Sequence, residues 1–139
     1  METLMEMPLE LPLELPRTVQ QAKARPAQTA RWYALCRLDE LEDSWGEAVL
    51  INGQQLALFR VGASQVFAVS HADPATRSHV MARGLVGSRG DVPTIASPLH
   101  KEVYSLATGE CFGHPELHLG TYPVRVVDGA IEVSLDMCR

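Results

Sequence analysis

Positive charge is in short supply in this chain: 12 Lys and Arg stand against 17 Asp and Glu among 139 residues, a formal net charge of −5. Binding a nucleic-acid backbone needs clustered Lys and Arg, so duplex nucleic acid is excluded as a main partner. Long apolar runs are missing too, and none approaches the roughly 20 residues of a membrane-crossing helix. Glu2, Glu6, Glu10 and Glu14 precede the first basic residue, Arg17, which is the reverse of a secretory leader. Cysteine is scarce: Cys36, Cys111 and Cys138 form no C-x-x-C pair. An odd count without a leader points to reduced thiols and a cytoplasmic protein. Gly84-Leu-Val-Gly87 lacks the G-x-G-x-x-G spacing and no βαβ rhythm surrounds it, which excludes a dinucleotide-binding fold.

What is present divides in two. Residues 1–30 contain Pro8-Leu-Glu-Leu-Pro12-Leu-Glu-Leu-Pro16, a tandem repeat with proline at every fourth position. Each proline fixes its own φ, removes a backbone donor and pushes the preceding residue away from the α region, so neither a helix nor a central strand survives. Gln20–Arg25 would allow a helical turn that Pro26 ends. Residues 1–30 therefore read as a disordered arm, with a docking peptide that inserts its leucines into a partner as the alternative.

Residues 31–139 read as one all-β domain, long enough and, at 46% apolar residues over the chain, apolar enough to build a core without staples. Trp32–Cys36 opens the series. Ala48–Ile51, Asn52-Gly53 and Gln55–Arg60 form a predicted hairpin, since Asn-Gly tolerates the positive φ of a type I′ turn. Gly62-Ala63-Ser64 links the next pair, ending in Gln65–Val69. Val124, Val126, Ile131, Val133 and Leu135 alternate with Arg125, Glu132 and Ser134 around Asp128-Gly129, the pattern of a half-buried antiparallel pair. Leu38–Glu42 is the single helical candidate.

Polar residues concentrate between His71 and Leu106. Phe67-Ala68-Val69 leads into Ser70-His71-Ala72-Asp73-Pro74-Ala75, and Thr94-Ile95-Ala96 into Ser97-Pro98-Leu99-His100. This order of elements resembles the Rieske ferredoxin domain, whose two loops carry C-x-H and C-x-x-H and hold a 2Fe-2S cluster between two thiolates and two imidazoles. The frame is kept and the ligands are not. Asp73, Ala75 and Ser97 stand where that family has Cys, His and Cys, and His100 alone matches. A serine alcohol is no thiolate at neutral pH and alanine binds nothing, so no cluster and no metal are expected on this chain.

Val49–Arg60, Val80–Gly87, Ala96–Lys101 and Tyr122–Val126 carry a narrower resemblance, to the small subunit of assimilatory NAD(P)H-dependent nitrite reductase, over about residues 31–135. It implies a Rieske-like antiparallel β-sandwich or barrel with an inserted two-loop subdomain. It also implies a cytoplasmic, non-catalytic partner for a large subunit bearing siroheme, a 4Fe-4S cluster, FAD and the NAD(P)H site, where nitrite becomes ammonium in nitrate assimilation. The former ligand positions are then Asp73, Ala75, Ser97 and His100, and the expected partner contacts are Pro74, Pro98, His100 and Lys101. A stand-alone Rieske-related electron carrier or adaptor is the alternative.

Other constellations read more plainly. His114 and His118 have helical metal-pair spacing, but Pro115 intervenes and no third ligand is near in sequence, so they read as loop residues. Cys111, His100 and Asp73 can be drawn as a nucleophile triad, although Cys111 beside Phe112 fits a small buried apolar residue. Asp91, Glu102 and Glu110 dilute any basic patch from Arg83, Arg89 and Lys101.

Overall fold

The computed structural model describes residues 31–136. The arm expected over residues 1–30, and Cys138, lie outside the described residues. Eleven strands make three antiparallel sheets. The first joins β1 (Trp32–Arg37), β11 (Ala130–Ser134) and β10 (Val124–Val127) in that order. The second runs β2 (Gly46–Ile51), β3 (Gln54–Val61), β4 (Gln65–Ser70) and β9 (Thr121–Tyr122). The third, inserted between β4 and β9, runs β5 (Leu85–Arg89), β6 (Val92–Ala96), β7 (Val103–Ser105) and β8 (Cys111–Phe112).

Turn chemistry fixes the hairpins. Ile51 faces Gln54 across Asn52 and Gly53, whose φ angles of 49° and 83° are those of a type I′ turn. The Asn52 side chain also donates to the Tyr33 hydroxyl at 2.9 Å, tying this turn to the first sheet. Asp128 and Gly129, at 52° and 80°, turn β10 into β11 in the same way.

The second sheet is the middle layer. Leu56 and Leu58 of β3 point into a core shared with Tyr33, Leu35, Ile131 and Val133 of the first sheet. Their neighbours Ala57 and Phe59 point into a second core with Met81, Ile95, Tyr104 and Leu106 of the inserted subdomain. All four are fully buried, which accounts for an uninterrupted apolar run where a one-faced strand would alternate.

Two local readings change. The half-buried pair predicted at the chain's end is not half-buried in β11, where Ile131 to Ser134 are all buried. β11 is the middle strand of its sheet, and Glu132 is covered by Arg125, whose Nε donates to it at 2.7 Å while its guanidinium lies 4.2 Å from the Trp32 ring centroid. Val126 and Val127 are exposed instead. Leu38–Glu40 does form a 3-10 turn, but a second one at Met81–Arg83 went unforeseen.

Candidate functional site at the two-loop end

Loop one, residues 71–84, joins β4 to β5, and loop two, residues 97–102, joins β6 to β7. Asp73 organises loop one from a fully buried position. Its Oδ1 accepts the backbone N–H of Ala75 at 2.7 Å and of Thr76 at 3.2 Å, and its carbonyl accepts Arg77 N–H at 2.7 Å. Ser97, also buried, organises loop two: its Oγ accepts Leu99 N–H at 3.2 Å and its carbonyl accepts Lys101 N–H at 3.0 Å. The two residues meet. Ser97 Oγ donates to Asp73 Oδ2, so a buried hydrogen bond joins the loops.

The four aligned positions thus separate into an inner and an outer pair. Asp73 and Ser97 are inside and bonded to each other, while Ala75 and His100 are exposed. As a donor set they offer a carboxylate already engaged through both oxygens, one alcohol, a methyl group and one imidazole. That chemistry does not match two thiolates and two imidazoles. Pro74 is half-buried, and Pro98, Leu99, His100 and Lys101 stand exposed at the tip of loop two, with Lys101 in the left-handed region at φ 63°.

Beneath the loops, the Tyr104 hydroxyl is fully buried, and among the described residues neither it nor Glu102 Oε1 has a hydrogen-bond partner. Burial above all, then the charges of Cys111, Asp73 and Glu102, push the Tyr104 phenol upward, so it stays protonated. The Cys111 thiol is also pushed up by burial and faces the Phe112 carbonyl at 3.8 Å. His100 lies exposed at the tip of loop two, whereas Cys111 is buried.

The remaining histidines occupy separate places. His118 Nε2 lies 3.1 Å from the Thr108 carbonyl, and His114 stands between Glu116 and Glu102 at 3.5 and 4.0 Å. Among the described residues no group of three His, Cys, Asp or Glu side chains is arranged to hold a metal ion. Arg89 lies over the Phe112 ring at 4.5 Å, apart from Arg83 in loop one and Lys101 in loop two.

Reading by sequence missed a second feature of loop one. His71 is buried, and its Nδ1 accepts the backbone N–H of Ala82 at 3.2 Å, which leaves the imidazole proton on Nε2. Its carbonyl accepts both Val80 and Met81 N–H groups at 3.0 Å, so one residue holds the Met81–Arg83 turn from two sides. That turn packs hard against β2: a Cβ on Gly46 would lie 2.4 Å from the Ala82 carbonyl oxygen, so only glycine fits there. The signal in sequence was slight, a Trp-Gly pair and two histidines eight apart.

Residues 31–134 match the Rieske-like [2Fe-2S] domain family. The chain belongs to that family. This Rieske-like domain is 32% identical over 105 residues to the nitrite reductase (NADH) small subunit of Salmonella typhimurium, covering 75% of this chain and 97% of that protein. It is 34% identical over 114 residues to the nitrite reductase [NAD(P)H] large subunit of Klebsiella oxytoca. Here the match takes in 81% of this chain but spans only 12% of that larger protein. The fold superposes on a crystal structure of the proposed NADH-dependent nitrite reductase small subunit of Mycobacterium tuberculosis, with a TM-score of 0.73 and 37% identity over 77% of this chain and 96% of that one. The Rieske-like domain is accordingly homologous to nitrite reductase small subunits, and its inserted sheet with two loops is the subdomain that the resemblance implied. No helix among the described residues is long and apolar enough to cross a membrane.

Proposed function

We propose that this chain is the small subunit of a cytoplasmic NAD(P)H-dependent nitrite reductase, that it holds no iron–sulfur cluster, and that it serves catalysis by docking on a large subunit. One observation carries the reading. The same stretch of sequence matches a separate small subunit in Salmonella and a portion of the large subunit in Klebsiella. A domain that occurs both as a free chain and within its partner's polypeptide is one that works in contact with that partner. Siroheme, the 4Fe-4S cluster, FAD and NAD(P)H then belong to the large subunit, and the reduction of nitrite to ammonium for nitrate assimilation takes place there.

The docking face is the loop end. Cluster ligation would tie two such loops together through metal bonds; here the Ser97–Asp73 hydrogen bond supplies a cross-link in their place. Pro74 and Pro98 restrict the loops further. With Ser97 turned inward, Pro98, Leu99, His100 and Lys101 are exposed together, offering an apolar anchor beside two cationic or donor groups.

Two measurements test this. Iron and sulfide analysis of the anaerobically purified 139-residue chain should return no stoichiometric iron; two irons per chain would revive the electron-carrier reading. The double variant His100→Ala/Lys101→Ala should weaken association with the large subunit by about tenfold, the scale of a modest hot spot. Its melting curve should match the wild type. Unchanged binding and unchanged nitrite reduction in the reconstituted complex would move the interface elsewhere.

A further inference from the structure

Loop one and the start of β2 enclose a cavity of about 490 Å³ between Trp45, Gly46, Glu47 and Ala48 on one side and His71, His79, Ala82 and Arg83 on the other. That volume lies within the range of small-molecule sites, about 300–1,000 Å³. Its walls are chemically uneven. One is the Trp45 indole, 57% exposed although tryptophan is an expensive residue to leave in water. The other carries three nitrogen groups. Because Nδ1 of His71 is occupied by the Ala82 N–H, the ring's one proton sits on Nε2. The His79 ring lies nearly parallel to His71, with centroids 6.0 Å apart and planes 10° from each other, and the Arg83 side chain is exposed beside them.

We propose that this cavity is a binding site for a small planar carboxylic acid. The carboxylate meets the Arg83 guanidinium and the His71 and His79 imidazoles, and the flat body of the acid stacks on Trp45. A guanidinium matches a carboxylate in shape and charge, and an indole face takes a flat apolar ring.

Charge supports the same ligand. The His71 imidazole lies below its ordinary range, first through burial and then through the positive fields of His79 and Arg83. These are the fields that an anion would offset. Glu47 is the one carboxylate in the lining, and Trp45, Gly46, Ala48 and Ala82 do not titrate. Arg83 is the fixed cation that a bound carboxylate would pair with, and the His71 Nε2 proton is a donor beside it.

Sodium benzoate titrated into the full 139-residue chain at constant ionic strength, followed by NMR of the indole and imidazole nitrogens, tests the site. The expected result is a saturable shift at Trp45, with the His71 titration moved upward. Benzamide, which has the same shape without the charge, should bind about tenfold or more weakly, and so should benzoate to Arg83→Gln. Arg31→Gln, outside the pocket, should bind as wild type does. A shift that does not saturate, equal binding of benzoate and benzamide, or a response at Trp32 rather than Trp45 would overturn the proposal. The benzamide comparison uses the wild-type chain, so it stands even if Arg83→Gln folds poorly.

Discussion

The two faces of β3 look into cores of different character. On the Leu56–Leu58 face, aliphatic and aromatic side chains from two sheets close over one another, and a tyrosine hydroxyl at the margin is met by Asn52. On the Ala57–Phe59 face, the apolar cluster is capped by buried polar groups: His71, Asp73, Ser97, Thr94 and Ser105. Two buried polar atoms on that side, Tyr104 hydroxyl and Glu102 Oε1, have no hydrogen-bond partner among the described residues. Apolar contacts are individually small and many, so the first core resists change by redundancy. The second is held by a few directional bonds, each of which matters singly. The base of the molecule is therefore the stable frame, and the loop end is where small chemical changes alter shape.

Phe59→Ala removes a fully buried ring from the second core, and by analogy with other large-to-small changes should cost about 3–5 kcal/mol in urea denaturation. Leu58→Ala, its neighbour facing the first core, should cost about 2–5 kcal/mol. If both substitutions abolish protection of loop one from hydrogen exchange equally, the two cores form one cooperative unit.

A smaller and more local loss is expected from Asp73→Ala. It deprives Ala75 and Thr76 N–H of their acceptor and leaves Ser97 Oγ without its partner, for about 2–3 kcal/mol if the charge-assisted bonds follow the usual scale. Amide exchange should speed up in residues 73–78 and 97–101 while the first sheet stays protected. Asp73→Asn, which keeps an acceptor, should lose less. Equal losses from Asn and Ala would mean that the carboxylate's negative charge, rather than its geometry, holds the loops.

The smallest effect is one of pH. The fold favours neutral His71, so its contribution to stability is complete above the ordinary histidine range, near pH 6.5, and is lost as acid protonates the unfolded chain first. The stability advantage of wild type over His71→Asn should accordingly shrink as pH falls from about 7 towards 5. The Asp43 carboxyl is displaced in the same direction, held low chiefly by the Gly62 N–H, and it responds only in stronger acid. A gap that stays constant through this interval would show that His71 acts only as a spacer.

How legible this was depended on how local the cause was. Asn52-Gly53 and Asp128-Gly129 could be read as turns because two adjacent residues with φ > 0 decide them. The pairing of β1 with β11 rests on contacts across nearly a hundred residues, and nothing in Trp32–Arg37 names its neighbour. β5 was hard to see for another reason: four of its five residues are exposed at a sheet edge, so there is no alternation to read. At the site, the substituted positions were visible by spacing, whereas the Ser97–Asp73 hydrogen bond joins residues 24 apart that only the fold brings together. The Trp45–His71–His79 cavity left only the slight signal of a Trp-Gly pair and two spaced histidines, because a turn at Met81–Arg83 and a close backbone approach at Gly46 create it.

The pairing of Trp32 with Ser134 has a consequence for how such a domain travels between proteins. Residues paired across antiparallel strands have Cα atoms about 4.5–5.5 Å apart, so the two ends of the folded unit leave from one spot. A unit with adjacent ends can be spliced into a surface loop of another polypeptide, or hung from either terminus, with little strain on its own sheets. The same geometry makes circular permutation practical. A short linker would join the present ends, and the exposed turn at Gly90-Asp91 between β5 and β6 offers a place to open new ones.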